Sequence, residues 1–580
     1  MMVRSRQQVR REEVAVTGGA VAATRALEAE AGAECLKEGG SAVDAAIAAA
    51  FMAAVVEPFS TSIGGCGFML VHDPAGSKCW SIEFPTLAPA AAQPDMFKVI
   101  GDSPSGMLAT EAVEGNANAF GFRSCGVPAS VAGLVEAHRM FGRLPLARLV
   151  APAVKVAREG FASDIYYDSL AAAFKPVLAM FDKSAANLLH RGEPPVSLYG
   201  HRIAQPALAD ALEEIGADGG TSFYRGDVAR AIVADVAAGG GILSLDDLAT
   251  YAPRVGEPLW GSYRGRRVAV PASPCGGWTV LQTLRLLERF DLPALPRASA
   301  ERFHLVIAAL RHAFADRYAW AGDPAFGAVP LGTMLSDAYA DEIAALIDAA
   351  RLDPALQTEA EPWVAFREAP LHDPWVYSGE ARPQSQPGTG PGSPQGTVHV
   401  TAADASGMLV TCTHTIGDVF GAKCMAGPGV LLNSGMQWFS PRPGGPNAIA
   451  PRKRPLANMA PAMVYGADGG VMGTGAFGGR RIISAIVQII SDVVDHGLSP
   501  QQACEAGRID ASERTTFVSD RLGDALPGTL AEKGHRVKAV REDHHLLGVE
   551  FANVTAIARD PEGVMRCGVD AIRPCEAIGF

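Results

Sequence analysis

A chain of 580 residues with 48% hydrophobic and 19% charged residues has the composition of an ordinary globular protein and can bury a large core. Its formal net charge of −12 excludes a surface built to gather phosphates, so nucleic acid is not an expected partner. Ten cysteines without a CxxC pair follow a basic N-terminus, MMVRSRQQVRREEVAV, that runs into no apolar segment; this predicts reduced thiols and a cytoplasmic location.

In chain order, residues 21–37 and 42–56 predict Ala-rich helices punctuated by Gly39-Gly40. The apolar run 43–56 contains Asp44 and is shorter than the roughly 18 residues of a membrane span, so it reads as a buried helix and no membrane is expected. Glycines 64, 65 and 67 lead into a strand at 68–72, with Cys66 in that glycine-rich loop. Residues 128–350 alternate helical stretches with turns, the longest helix being predicted over 300–321. The stretch 378–396, mostly Pro, Gly, Ser and Gln, reads as a mobile linker and the main boundary.

Beyond it the pattern changes. Residues 397–401 alternate as a strand and pair, across the turn residues 404–407, with a second strand at 407–413. A further hairpin is predicted around Asp468-Gly-Gly470, and an amphipathic helix over 482–494. Asp543 with His544 and His545 lacks further ligands at metal-binding spacing and reads as a surface turn; no metal and no cofactor are expected.

A strand that begins at Thr397, directly after Gly396 and a flexible segment, has a chemical reading. The Thr397 hydroxyl could attack the Gly396 carbonyl and cut the chain there, glycine permitting the unusual backbone geometry. Thr397 would then carry its own α-amine, whose pKa of about 7.7–8.0 suits a general base. On these residues alone an ordinary strand threonine is the simpler reading. Gly473 to Arg480 contains a GxGxxG string between a strand and a helix. It fits a dinucleotide turn, an oxyanion hole formed by the Gly478 and Gly479 amides, or a plain tight turn. No strand ending in Asp or Glu follows at the needed distance, and Asp492 and Asp495 fall inside or at the end of the helix, which disfavours the dinucleotide.

Several strings taken together resemble the gamma-glutamyltranspeptidase family. They are Gly39-Gly-Ser-Ala-Val-Asp-Ala-Ala46, Glu57-Pro58 with Ile63-Gly-Gly-Cys-Gly-Phe68, and Cys125-Gly-Val-Pro-Ala-Ser-Val-Ala-Gly133. Tyr263-Arg-Gly265, Pro271-Ala-Ser-Pro-Cys-Gly-Gly277, Gly396-Thr-Val-His399, Lys453-Arg-Pro-Leu456, Met459-Ala-Pro461 and Gly478-Gly479 continue the match, from about residue 15 to the C-terminus. The resemblance implies an α+β fold, the four-layer αββα sandwich of N-terminal-nucleophile hydrolases. It implies autocleavage into a large subunit, 1–396, and a small subunit, 397–580. These would stay together as a heterodimer, or a dimer of heterodimers, and form one αββα unit. It assigns Thr397 as nucleophile, Thr415 as the hydroxyl supporting it, and Gly478 and Gly479 as the oxyanion pair. The reaction implied is acyl transfer from an amide through an acyl-enzyme, to water or an amine.

The departures bear on the substrate. Where the family's F-R-E-x-A-P string has an arginine for the substrate carboxylate, this chain has Phe84-Pro85-Thr86-Leu87-Ala88-Pro89. The carboxylate-holding serines of L-S-S-M are Ala457 and Asn458, and L-L-N-N-Q/E-M-D-D-F has become Leu431-Leu-Asn-Ser434-Gly435-Met-Gln-Trp438-Phe439. The asparagine of T-I-N is Gly417, and the second threonine of T-T-H is Val398. Such losses remove about 3–6 kcal/mol of selective binding. They predict a small, non-gamma-glutamyl amide in a site shaped by Trp438, Asn458, Ser434 and Gly435, as in the superfamily's oxamate amidohydrolases and cephalosporin acylases. Among the remaining basic groups, Arg480 is the first candidate to bind a substrate carboxylate, ahead of Arg481, Arg452, Lys453 and Arg454. His399 and His414 are candidates for donors behind the nucleophile or for simple packing. The competing functions are a true gamma-glutamyl hydrolase or transpeptidase, a catalytically silent scaffold, and a nicotinamide-binding oxidoreductase.

Overall fold

The computed structural model describes residues 10–102, 111–356, 370–379, 381–382, 395–542 and 551–580. Most of the predicted linker at 378–396 and the His544-His545 pair lie outside the described residues. Two seven-stranded sheets form the centre of the described chain. In chain order their strands are β1 (Val14–Val16), β2 (Gly19–Ala23), β3 (Cys66–Asp73), β4 (Lys78–Phe84), β5 (Arg254–Gly256), β6 (Leu259–Tyr263) and β7 (Arg266–Val270). They continue as β8 (Gln395–Asp404), β9 (Leu409–Asp418), β10 (Ala462–Tyr465), β11 (Val471–Phe477), β12 (Asn553–Arg559), β13 (Met565–Val569) and β14 (Glu576–Gly579). One sheet runs β14-β2-β8-β9-β3-β4-β5, the other β1-β13-β12-β11-β10-β7-β6. Both sheets draw strands from each side of residue 396, so a cut there would leave two fragments sharing both sheets.

The sheets face one another across a cluster that includes Ala20, Leu70, Leu409, Met463 and Ile557. Helices α1 (Ala26–Lys37) and α2 (Ala42–Val56) cover the outer face of the first sheet. Helices α3 (Gly276–Leu287) and α5 (Arg481–His496) cover the second, and α4 (Ala300–Trp320) packs against α3. The layers are therefore helix, sheet, sheet, helix. Every residue of α2 is buried, and Ser41 with Asp44 caps its start by a reciprocal side-chain–backbone exchange. No helix among the described residues is long and apolar enough to cross a membrane.

One local expectation is corrected. Residues 21–23, read as the start of a helix, belong to strand β2, which pairs with β8 and β14. Small alanines suit either state, and the slot between two strands decides it over helix propensity. The other predicted elements lie within a few residues of their observed bounds: β3, the β8–β9 and β10–β11 hairpins, α4 and α5.

Candidate active site

Strand period places the site. In β8 and β9, Thr397 lies opposite Thr415, His399 opposite Thr413 and Thr401 opposite Thr411. Their side chains share the face turned toward the other sheet, while Val400, Val410 and Cys412 pack with α2 on the outer face. The result is a buried polar strip between the sheets that ends at Thr397.

The pairing register shifts between Gly396 and Thr397, so a bulge sits at that peptide bond. Thr397 Oγ1 lies 2.8 Å from the Gly396 carbonyl oxygen and 3.1 Å from Thr415 Oγ1. Thr415 donates to the same carbonyl oxygen at 2.5 Å, and its own oxygen accepts the Gly417 amide at 3.0 Å. Glycine at 396 is required by packing: a Cβ there would stand 2.2 Å from the Phe59 carbonyl oxygen and 2.8 Å from Ser60 Cα. That seat is fixed from the far side, because Ile416 donates to the Ser60 carbonyl and Phe420 to the Phe59 carbonyl, both at 3.1 Å.

The glycines of the GxGxxG string divide into two roles. Gly473 and Gly475 lie inside β11, where a Cβ at 473 would meet Leu409 at 2.3 Å and one at 475 would meet the His399 ring at 2.0 Å. Gly478 and Gly479 form the turn into α5 with φ of 137° and 65°, and a Cβ at 478 would meet Ala552 Cα at 2.8 Å. Gly478 shares with Thr397 a cleft whose lining also includes Gly396, Tyr166, Arg481 and Arg573. The N-terminal end of a 16-residue helix thus opens beside Thr397, where its amides favour negative charge.

Arg480 is 4% exposed and its guanidinium lies 3.1 Å from Glu513, a carboxylate shared with Arg481 at 2.8 Å. Arg481 and Arg573, the latter stacked 3.9 Å over the Tyr166 ring, are the arginines lining the cleft. Arg454 is paired with Asp323 and Arg452 with Asp246. The Lys453 ammonium donates to the Pro446 and Ala448 carbonyls, and burial lowers its pKa to about 8.

The remaining predicted residues cluster behind Thr415. A Cβ at Gly417 would stand 2.5 Å from Ser434 Oγ, and Ser434 Oγ accepts the Asp418 amide at 3.0 Å and the Gln437 amide at 2.7 Å. Gly435 and Trp438 bound the single 3-10 turn that follows. The Trp438 carbonyl accepts from Asn447, whose side-chain oxygen in turn accepts the Leu456 amide. Through Asn447 these contacts link the 434–438 turn to the segment that carries Asn458, which is 1% exposed. His399 is held by Thr413 at 2.8 Å and Thr411 at 2.8 Å, and His414 by Ser130 at 2.5 Å. Burial lowers both histidine pKa values to about 3, so both rings are neutral at pH 7. Cys66 is fully buried and its thiol is pushed up to about 12, which makes it unreactive.

Two groups escaped the sequence reading. Lys423 and Asp418 form an ion pair of 2.5 Å, each side chain 2% exposed, across the turn that carries Phe420. Arg317 lies in α4 and reaches the Ala457 carbonyl at 2.6 Å and Asn458 Oδ1 at 3.0 Å. A charged residue inside a helix buried on all sides was the available signal for Arg317; Lys423 offered none. Among the described residues no group of three or more His, Cys, Asp or Glu side chains is placed to hold a metal.

Comparison with known proteins places this geometry. The family model described as gamma-glutamyltranspeptidase matches residues 29–580. The chain is 33% identical over 569 residues to the glutathione hydrolase proenzyme of Bacillus subtilis (strain 168), covering 97% of this chain and 91% of that one. It is 33% identical over 549 residues to the acylase ACY 1 proenzyme of Pseudomonas sp. (strain V22), covering 94% and 91%. The crystal structure of cephalosporin acylase from Bacillus halodurans superimposes with a TM-score of 0.83 at 25% identity, over 100% of this chain and 98% of that one.

Proposed function

The chain belongs to the gamma-glutamyltranspeptidase family, and from that premise we propose that it is a proenzyme that cuts itself between Gly396 and Thr397 and then hydrolyses a small non-gamma-glutamyl amide through an acyl-enzyme on Thr397. The contact of Thr397 Oγ1 with the Gly396 carbonyl, beside a donating Thr415 hydroxyl, carries this reading. Attack of Oγ1 on the Gly396 carbonyl carbon forms an ester. The C–N bond breaks, and the nitrogen takes the hydroxyl proton to become the Thr397 α-amine. Water then hydrolyses the ester and releases Gly396 as a carboxylate. The cut would yield subunits 1–396 and 397–580, held as a heterodimer by sheets to which both contribute.

In the mature enzyme the α-amine serves as base, Thr415 orients the nucleophile, and the Gly478 and Gly479 amides hold the oxyanion. Ser434, Gly435, Trp438 and Asn458 shape the acyl pocket. Arg480 and Arg481 share Glu513, and Arg481 is the one of that pair that lines the cleft, so it is the better placed to meet an anion there. The relatives include both a glutathione hydrolase and an acylase; Pro85, Gly435 and Trp438 in place of charged binding groups favour acylase chemistry here. A cytoplasmic location is part of this reading.

The test is the intact mass of the purified protein beside Thr397→Ala. Two fragments meeting at Gly396/Thr397 in the wild type and one uncut chain in the variant are expected. An uncut, folded wild type would overturn the reading.

A further inference from the structure

Arg480 and Arg481 open helix α5 with two positive charges at the end where the helix dipole is itself positive, and its first turn holds no acidic residue. Local chemistry disfavours that choice, so the anions must come from elsewhere in the fold. They come from the segment that begins with the short strand Ile509–Asp510. Glu513 Oε1 lies 3.1 Å from Arg480 Nη2 and 2.8 Å from Arg481 Nη2, and Asp510 Oδ2 stands 3.8 Å from Arg481 Nε. Both arginines are buried. Burial opposes ionisation of Glu513, but the charges of Arg480 and Arg481 hold its carboxyl below the ordinary range. Asp510 is the opposite case: burial raises its pKa against the charge of Arg481, and its two oxygens accept from the amide and hydroxyl of Ser512. Glu513 is thus the carboxylate that the two arginines share.

The charge of this group bears on Thr397 because Arg481, Gly478 and Thr397 line one cleft. Positive charge there favours an oxyanion at the Gly478 and Gly479 amides, and it disfavours protonation of a Thr397 α-amine. Negative charge does the reverse. The other ionisable groups around Thr397 are Arg573 and Tyr166 in the cleft, the neutral His399 and His414 on β8 and β9, and the pairs Lys423–Asp418 and Arg25–Glu57, each matched within itself.

We propose that Glu513 is a positioning residue for the Thr397 reaction: it clamps Arg480 and Arg481 at the start of α5, and so sets both the seat of the oxyanion amides and the positive charge that Thr397 faces. Glu513 touches no reacting atom and acts through the two arginines. The inference rests on the Thr397 amidase reading and names what tunes its base.

The test is the pH profile of kcat/KM for glutaryl-4-nitroanilide, whose carboxylate stays ionised from about pH 6 to 9, in the self-cleaved wild type and its variants. Glu513→Gln removes a negative charge, and the acid limb moves down by about half to one pH unit. Arg480→Gln removes a positive charge, and the limb moves up by about as much. The double variant Arg480→Gln/Glu513→Gln restores the charge balance, and its limb returns to the wild-type position whatever activity a looser helix start loses. Arg480→Lys keeps the charge and stays with the wild type. The same order is read without substrate from the pH dependence of acetylation of the Thr397 α-amine by acetic anhydride, followed in the mass of the N-terminal peptide of the small subunit. Arg480→Gln against Arg480→Lys decides the matter if Glu513→Gln does not fold. Coincident limbs in the wild type and both single glutamine variants would overturn the proposal, as would a double variant displaced further than either single one. A protein uncut at Gly396 removes the Thr397 reading and this inference together; a cut protein whose α-amine titrates alike in every variant sinks this inference alone.

Discussion

Thr397 and Thr415 stand opposite one another on adjacent strands with their hydroxyl oxygens 3.1 Å apart, and both hydroxyls reach the same carbonyl oxygen, that of Gly396. The Gly417 amide donates to Thr415 Oγ1, which turns the Thr415 proton outward onto that carbonyl. In the proposed self-cleavage, Thr415 is therefore a donor to the oxygen that takes up negative charge. In the proposed mature enzyme the same hydroxyl is left to Thr397.

Thr415→Val is expected to slow self-cleavage by about 10²–10³-fold, the usual effect of removing one such donor. Thr415→Ser keeps the hydroxyl and stays within about tenfold of the wild type. Intact mass followed against time after refolding reads both rates. Equal cleavage in the valine variant would mean that Thr415 only fills space.

The Lys423–Asp418 pair is buried at both ends and locks a turn in which Phe420 and Lys423 hold φ of 56° and 61°. Left-handed backbone at two non-glycine residues persists only where surrounding contacts enforce it. Lys423→Met strands a buried carboxylate and is expected to cost about 3–5 kcal/mol in urea unfolding. The double variant Asp418→Asn/Lys423→Met recovers most of that loss, since the unpaired charge is gone. Additive losses in the double variant would show the two residues acting independently.

His399 and His414 are buried neutral, with pKa values brought down to about 3 by loss of solvent. The unfolded chain, with histidines near 6.5, binds more protons between pH 6.5 and 3, so stability falls as pH falls through that window and is level above it. At pH 5 each such histidine costs about 2 kcal/mol relative to pH 7. His399→Gln, which keeps polar contacts to Thr411 and Thr413, should flatten part of this acid limb in the urea midpoint. An unchanged slope between pH 7 and 5 would place the titration elsewhere.

Part of the candidate site is legible where a motif combines backbone constraint with chemistry. Thr397 after Gly396 and Gly478-Gly479 before an amphipathic helix carry a local pattern, whereas Thr415 is picked out only by the family resemblance. Other features depend on which surfaces meet. Nothing in the spacing of Gly473 and Gly475 distinguishes a phosphate turn from close sheet packing; the His399 ring lying on Gly475 does. Arg480 and Arg481 look alike in sequence and both pair with Glu513; only the fold shows that Arg481 is the one lining the cleft beside Thr397. Arg317 reaches Asn458 across 141 positions, a contact no local pattern records.

The proposed acyl pocket makes one discrimination that separates the acylase reading from a gamma-glutamyl one. A gamma-glutamyl group is a glutaryl group with one added ammonium beside its carboxylate. Where the family pattern has polar and acidic groups for that ammonium, this chain has Gly435 and Trp438, and the nearby Asp418 is spent on Lys423. A buried ammonium without an acid or acceptor loses about 1.5–3 kcal/mol of charged hydrogen bonding alone. Gamma-glutamyl-4-nitroanilide should therefore be cleaved about 10–100-fold more slowly in kcat/KM than glutaryl-4-nitroanilide. Trp438→Asp, which returns an acid to that wall, should narrow or reverse the difference by acting on the gamma-glutamyl compound. Faster cleavage of the gamma-glutamyl anilide by the wild type would mean that the amine is recognised by groups outside the family positions, and the enzyme would be a gamma-glutamyl hydrolase after all.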